Sequence, residues 1–261
     1  MITHLELDNF TVFDKFQIKF SPKINVIIGE NGSGKTHLLK MAYALSGGPG
    51  LFKKQGDAGN QDLAQTLTTS LLRLFLPMDG KPGKLHRTGA DESARIKAEF
   101  LLENGEQAGI HATIHNNSRS LAIHDHDYQK NYAGYDREPA FIPTKEMISF
   151  MKGFGSLYEK YALSFDQTYY DTFRLLELPE LRRDALHQKT RWAMSEIETI
   201  CGGRFLFHGG GNVTFKTHQA EYSANVIAEG FRKAGILGHL METGAIQPGV
   251  GGTLLIKGGE K

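Results

Sequence analysis

The octapeptide Gly29-Glu30-Asn31-Gly32-Ser33-Gly34-Lys35-Thr36 fits the phosphate-loop pattern G-x-x-x-x-G-K-[ST] and constrains what must stand on either side of it. Before it runs the β-favouring, apolar Ile24-Asn25-Val26-Ile27-Ile28; after it, Leu38, Leu39, Met41, Ala42 and Leu45 recur at helical spacing. A strand, a tight loop and a helix in succession are the context in which this pattern grips phosphate. An incidental glycine-rich turn would need no such flanks.

The residue types follow from the chemistry. Gly29, Gly32 and Gly34 give the backbone dihedrals closed to other residues. The loop from Gly29 through Glu30, Asn31, Gly32, Ser33 and Gly34 can then turn successive N–H groups inward on phosphate oxygens. A helix opening near Lys35 adds unpaired N–H groups and partial positive charge. Lys35 is expected to reach the β- and γ-phosphates, and Thr36 to offer its hydroxyl to Mg²⁺. The ligand class is a nucleoside triphosphate.

Composition narrows the partners. With 261 residues and 40% hydrophobic content, the chain can bury one large core, or a core plus a lobe. A net charge of +1 gives no bulk attraction to nucleic acid, so a DNA contact would need a local basic patch. Lys81, Lys84 and Arg87 form one cluster; Arg182, Arg183, Lys189 and Arg191 form another, which alternates with Glu180 and Asp184 and reads as a solvated helix face. The start Met1-Ile2-Thr3-His4-Leu5-Glu6 lacks the basic and apolar regions of a signal peptide, and no run approaches the length of a membrane span. A soluble, cytoplasmic protein is expected. The single cysteine, Cys201, excludes an intrachain disulfide and reads as a small buried hydrophobe.

Along the chain, Leu5 and Leu7, then Phe16, Ile18 and Phe20, alternate with polar residues and indicate two short strands. The helix after the loop should stop near Leu45 at Gly47-Gly48-Pro49-Gly50, with exposed loop to Asn60. A second helix on Leu63, Leu67, Leu71, Leu74 and Phe75 ends at Pro77. From Ala94 the period becomes two, and Asn104-Gly105 marks a hairpin that continues through Ile110, Ala112 and Ile114. His111 and His115, with the following His124-Asp125-His126-Asp127, hold no cysteine and no H-E-x-x-H pattern; the sheet histidines read as a solvated face rather than a metal site. Ala140-Phe141-Ile142-Pro143 reads as a short buried strand, and Met147 to Ile200 as mostly helical, with Trp192 packed on one apolar face, about two helical turns from both Ala185 and Ile200. Phe205, Phe207, Val213 and Phe215 flank Gly209-Gly210-Gly211 as a further hairpin. A helix follows from about Glu229 on Phe231, Ile236, Leu237 and Leu240, and Thr253-Leu254-Leu255-Ile256 reads as a buried strand.

This order of pieces resembles a known group. Leu5-x-Leu7-x-Asn9-Phe10 followed by Ile24 to Thr36 resembles the first lobe of the ABC-type ATPase heads of the RecF, SMC and OLD group, whose bacterial members are often labelled AAA family ATPases. Phe141-Ile142-Pro143-Thr144-Lys145-Glu146-Met147-Ile148-Ser149-Phe150 resembles a segment of that subgroup, and Ala228-Glu229-Gly230 stands where the group carries its signature turn, with Ala228 in place of the frequent serine. The resemblance implies an α/β fold: a P-loop NTPase with an ABC-like core, an antiparallel β-subdomain and a helical lobe. It suggests a Walker A lobe over 1–92, a β insertion over 93–139, a helical lobe over 140–203, and a hairpin, signature-like helix and Walker B strand over 204–261. It implies ATP and Mg²⁺ as ligands, and two heads that sandwich nucleotide between the loop at Lys35 of one and the turn at Ala228, Glu229 and Gly230 of the other. It implies a homodimer or a complex with a partner effector, in DNA repair or anti-phage defence, with DNA as a further partner.

The group's Walker B strand continues into an Asp-Glu pair, whereas Leu254-Leu255-Ile256 continues into Lys257-Gly258-Gly259-Glu260-Lys261. The core's final strands are therefore expected to be missing, through truncation or divergence, completion by another chain, or a sequence that departs from the natural one. Losing a general base costs about 10²–10⁴ in rate. Glu260 is a weak substitute, since it stands in a terminal tail. An ATPase switch, a non-hydrolysing nucleotide-binding scaffold and a small-molecule kinase all remain open, the last without a visible second substrate site.

Overall fold

The computed structural model describes residues 1–56, 62–124, 131–135, 138–161, 163–247 and 254–258. The chain divides into two compact units, Met1–Pro139 and Ala140–Lys261.

The first unit is built on one antiparallel sheet of β1 (Ile2–Phe10), β2 (Phe13–Lys19), β3 (Ala94–Leu101), β4 (Gln107–Ile114) and β5 (Ala122–His124), in the order β2-β1-β3-β4-β5. The opening hairpin and the later antiparallel strands thus belong to one sheet, because β1 pairs with β3 from Ile2↔Phe100 to Asp8↔Arg95. Alternation sets the register. Ala94, Ile96, Ala98 and Phe100 are buried while their neighbours are exposed, and a one-residue slip would turn this set to solvent. The β3–β4 hairpin turns at Asn104-Gly105 as its sequence requires: Gly105 takes φ 83° and the Asn104 side chain accepts from the Glu106 N–H.

Helix α1 (Lys35–Gly56) packs on α2 (Leu63–Phe75). Asp62 caps α2 by accepting from the Gln65 N–H at 2.7 Å. Tyr132 joins the layers. Its ring lies 5.2 Å from that of Phe100, and its hydroxyl donates to the Leu45 carbonyl. Burial, together with the neighbouring Tyr135, pushes this phenol well above its ordinary pKa, so it stays a donor.

Two expectations fail in this unit. The helix does not stop at Gly47-Gly48-Pro49-Gly50 but runs on to Gly56 with Pro49 inside it. Packing overrides propensity here: Ala42, Ala44 and Leu45 are buried, and Gly48 lies so close to α2 that an added Cβ would sit 2.5 Å from Leu67 Cδ2 and 3.1 Å from the Tyr132 hydroxyl. Gly50 has only Glu138 nearby, at 4.0 Å. Gly48→Ala should therefore lower stability by about 1–2 kcal/mol through overpacking, while Gly50→Ala should raise it by about 0.5–1 kcal/mol through helix propensity. Opposite shifts of the denaturant midpoint would report the two effects.

The second failure is the strand before the loop. Residues 24–28 form no strand, and Ile24, Val26 and Ile28 are 82%, 79% and 88% exposed. A β-ladder needs a neighbour, and among the described residues this segment pairs with none.

The second unit holds β6 (Ala140–Ile142) and β10 (Leu254–Ile256) as a parallel pair in the register Leu254↔Ala140 to Ile256↔Ile142. It also holds an antiparallel sheet of β7 (Arg204–Phe207), β8 (Val213–Lys216) and β9 (Glu221–Ser223). Gly209, Gly210 and Gly211 all take positive φ in the β7–β8 turn. Helices α3 (Phe154–Lys160), α4 (Gln167–Leu176), α5 (Gln188–Cys201) and α6 (Glu229–Glu242) complete the unit. Its core joins Ile142, Met147, Phe154, Phe205, Ile236 and Leu240. Thr172 of α4 donates to the Phe141 carbonyl at 2.6 Å and fixes that helix to β6.

Trp192 and Ile200 do not pack as expected: they are 66% and 69% exposed, because α5 turns Thr190 and Cys201 inward instead. Cys201 is buried and free, and burial raises its thiol pKa. Strand β10 is only half buried, since Leu255 faces inward while Leu254 and Ile256 face out. Thr253, expected in this strand, lies outside the described residues.

Candidate nucleotide site

The loop from Gly29 to Thr36 is assembled within the first unit. Gly32 and Gly34 take φ 82° and 92°, the region that lets successive N–H groups turn to one side. Gly34 is fixed twice over, because a Cβ there would also lie 2.6 Å from the Phe13 ring and 2.7 Å from Val12. The turn joining β1 to β2 is therefore the floor on which the loop rests. Ser33 N–H donates to the Glu30 carbonyl at 3.3 Å and closes the turn, and Leu38 N–H reaches the Gly34 carbonyl at 2.9 Å as the helix begins.

Lys35 opens α1, as the sequence requires, and its ammonium donates to the carbonyls of Gly29 and Glu30, each at 2.7 Å. The charge is thereby held over the loop, and an ammonium has a third N–H for an anion. The first N–H groups of α1 have no intrahelical acceptor and point the same way as the helix dipole. One turn on, His37 contacts Thr11 Oγ1 at 2.9 Å and Lys40 donates to the Leu74 carbonyl at 2.7 Å, which anchors the helix start to the β1–β2 turn and to α2.

Thr36 is half-buried in the first turn of α1. A hydroxyl there fits one position of an octahedral Mg²⁺ shell that phosphate oxygens and water would complete. The carboxylate pair that would extend this shell has no counterpart after β10, where Lys257 and Gly258 stand; Lys257 N–H donates to the Ile142 carbonyl. Glu260 lies outside the described residues.

The second half of the expected site lies in the second unit. Ala228 is the N-cap of α6, without a side-chain cap, and Ala228, Glu229 and Gly230 are exposed at its start. Glu229 accepts from Lys233 at 2.9 Å, and that hydrogen bond holds its carboxyl below the ordinary value. The turn is held from beneath by residues that no sequence pattern singled out. Arg232 donates through Nε to Glu146 Oε2 at 2.5 Å, and through Nη1 to the carbonyls of Asn225 at 3.2 Å and Ile227 at 2.5 Å. Glu146 is buried and also accepts from the Ile148 N–H. The pairing spans 86 positions, a separation at which a lone acid and a lone base carry no mutual signal.

The histidines of the sheet are not gathered into a metal shell. His111 and His124 are cross-strand neighbours with rings 5.1 Å apart, but His124 contacts Thr113 Oγ1 at 2.8 Å and His115 contacts Ser93 Oγ at 2.6 Å. Asp125, His126 and Asp127 lie outside the described residues. Among the described residues, no helix is long and apolar enough to cross a membrane.

A family profile described as "AAA domain" matches residues 4–165. The "DNA replication and repair protein RecF" of Oceanobacillus iheyensis is 51% identical over 45 residues, 17% of this chain and 12% of that protein. Its namesake in Ligilactobacillus salivarius is 31% identical over 102 residues, 35% of this chain and 26% of that protein. The one in Lactobacillus johnsonii is 28% identical over 109 residues, 42% of this chain and 25% of that protein. The matched regions span about a quarter or less of these relatives' length. A solved chain from work on "ATP-driven dimerization and DNA stimulated activation of SMC ATPases" aligns over 51% of this chain and 79% of that one, at 19% identity and a TM-score of 0.31, too low to bear on the fold. With the family match covering more than half of its residues and including the phosphate loop, the chain belongs to the AAA domain family.

Proposed function

We propose that the chain is an ATP-binding head whose association with a second head is switched by the nucleotide. The observation that carries this reading is Lys35, whose ammonium is held over the phosphate loop by the carbonyls of Gly29 and Glu30. Mg²⁺, when bound with ATP, neutralises phosphate charge; Thr36 would hold it, and Lys35 would orient the β- and γ-phosphates. The exposed start of α6 at Ala228, Glu229 and Gly230 supplies a second set of N–H donors, suited to the γ-phosphate held by another copy. Triphosphate between two copies acts as adhesive, and its loss releases them. The setting we infer is DNA repair, for which the RecF relatives are named, or anti-phage defence beside a partner effector.

Light scattering tests the switch. Mg²⁺-ATP should double the mass of the purified chain, and Gly230→Trp, which crowds the α6 start, should keep it monomeric while it still binds ATP. A mass unchanged by ATP at saturating nucleotide would sink the proposal.

A second reading is favoured by Lys257 and Gly258 after β10: the head binds ATP and recruits a partner without turnover. Mg²⁺-dependent phosphate release from the chain alone, lost in Lys35→Ala, would exclude it.

A further inference from the structure

A cluster in the second unit, unconnected with the nucleotide loop, carries chemistry of its own. His239 of α6 is 3% exposed, and its ring stacks on Phe207 of β7 at 3.8 Å and 12°. Its Nε2 lies 3.1 Å from the Leu176 carbonyl. A carbonyl only accepts, so Nε2 carries a hydrogen, and Nδ1 faces Glu242 Oε2, 3.4 Å away. A nitrogen and a carboxylate oxygen thus face each other at a buried site, where a proton or a metal cation between them joins the two groups.

The dimensions suit a particular cation. Ligands about 2.0–2.1 Å from a tetrahedral Zn²⁺ lie about 3.3–3.4 Å from one another, close to the observed separation. A histidine that gives its other N–H to a backbone carbonyl is the usual outer arrangement of a metal-bound ring, since that bond fixes tautomer and orientation. Arg204 plays the corresponding part for the carboxylate: it donates to Glu242 Oε1 at 2.6 Å and leaves Oε2 turned to His239. Glu180 supplies a third ligand, with one donor atom from each of Glu180, His239 and Glu242 within 4.8 Å of the others. Its backbone is held beside α6 by the Leu181 N–H, which donates to the Glu242 carbonyl at 2.8 Å, and its side chain, 41% exposed, lies with Oε2 3.5 Å from Arg204 Nη2.

Glu180, Arg204 and Glu242 also line a cavity of about 260 Å³, with room for water as a fourth ligand. Three carboxylates, those of Glu180, Glu198 and Glu242, surround Arg204, so that together they balance its guanidinium and a divalent ion. We propose that Glu180, His239 and Glu242 form a Zn²⁺ site with one position open to water. One nitrogen and two oxygen ligands suit zinc better than Mg²⁺, which prefers oxygen.

The test is a calorimetric titration of the full chain with Zn²⁺ in excess Mg²⁺ and without nucleotide, so that binding at the phosphate loop does not register. One Zn²⁺ per chain is expected. His239→Gln and Glu180→Gln should each weaken binding at least tenfold, and His115→Gln, on the sheet of the first unit, should leave it unchanged. If His239→Gln fails to fold, Glu180→Gln decides alone, because Glu180 is exposed and its circular dichroism can be compared directly with that of the parent. No uptake of Zn²⁺, or uptake that survives Glu180→Gln at full affinity, overturns the site.

Discussion

Replacing Lys35 with alanine is expected to weaken ATP binding by about a hundredfold while leaving the fold in place. A hydrogen bond to a charged group contributes about 1.5–3 kcal/mol, and each 1.4 kcal/mol is about tenfold in affinity. Losing the ammonium's hold on the phosphates therefore removes about one to two orders of magnitude, while the loop N–H groups and the α1 dipole retain the remainder. The same ammonium binds the Gly29 and Glu30 carbonyls, but those oxygens lie in an exposed loop where water can replace it. The cost to folding should stay near about 1 kcal/mol. Lys35→Arg is not expected to rescue affinity fully, since the planar guanidinium cannot place a compact charge between the same two carbonyls. Titration calorimetry with Mg²⁺-ATP, together with thermal unfolding of the free chain, separates the two effects; unchanged affinity would remove the basis of the proposed function.

What could be read without coordinates is what a short stretch of chain decides for itself. The start of α1 at Lys35, the turn at Asn104-Gly105, the alternation along β3 and the start of α6 at Glu229 all follow from local dihedral and spacing rules. Where packing or distant pairing decides, local rules mislead. Glycine and proline mark a helix end in isolation, yet α1 continues through Pro49 because Gly48 meets Leu67. The apolar spacing of α5 suggests that Trp192 turns inward, yet the helix is oriented by Thr190 and Cys201. Ile24 to Ile28 has the composition of a buried strand, but composition supplies no neighbour to pair with. The phosphate loop was legible because its chemistry is confined to eight residues. Its floor at Val12 and Phe13, and the support of the α6 start by Glu146, were not, because each depends on residues brought together by the fold.

Removing the guanidinium of Arg232 should destabilise the second unit by about 3–5 kcal/mol, the cost of stripping one partner from a buried ion pair. Glu146 is 5% exposed, and its two oxygens are committed to Arg232 Nε and the Ile148 N–H. In Arg232→Ala the carboxylate keeps the backbone donor and loses its counter-charge, and the carbonyls of Asn225 and Ile227 lose their donor as well. Replacing both partners with apolar residues of similar volume, as in Glu146→Leu with Arg232→Met, should cost less than the single change, since no charge is then left buried alone. A double-mutant cycle by denaturant unfolding measures that difference, and strict additivity would contradict it. A functional consequence follows from position. Ile227 precedes Ala228, so the arginine that pairs with Glu146 also holds the backbone from which the α6 donors emerge. Arg232→Lys, studied below the temperature at which it unfolds, keeps the charge but cannot span the carboxylate and both carbonyls with a planar fork. Its ATP affinity should match the parent, because the phosphate loop is built within the other unit, while its ATP-dependent association should weaken about tenfold. Equal association of the two proteins would show that the α6 start has no part in joining the heads.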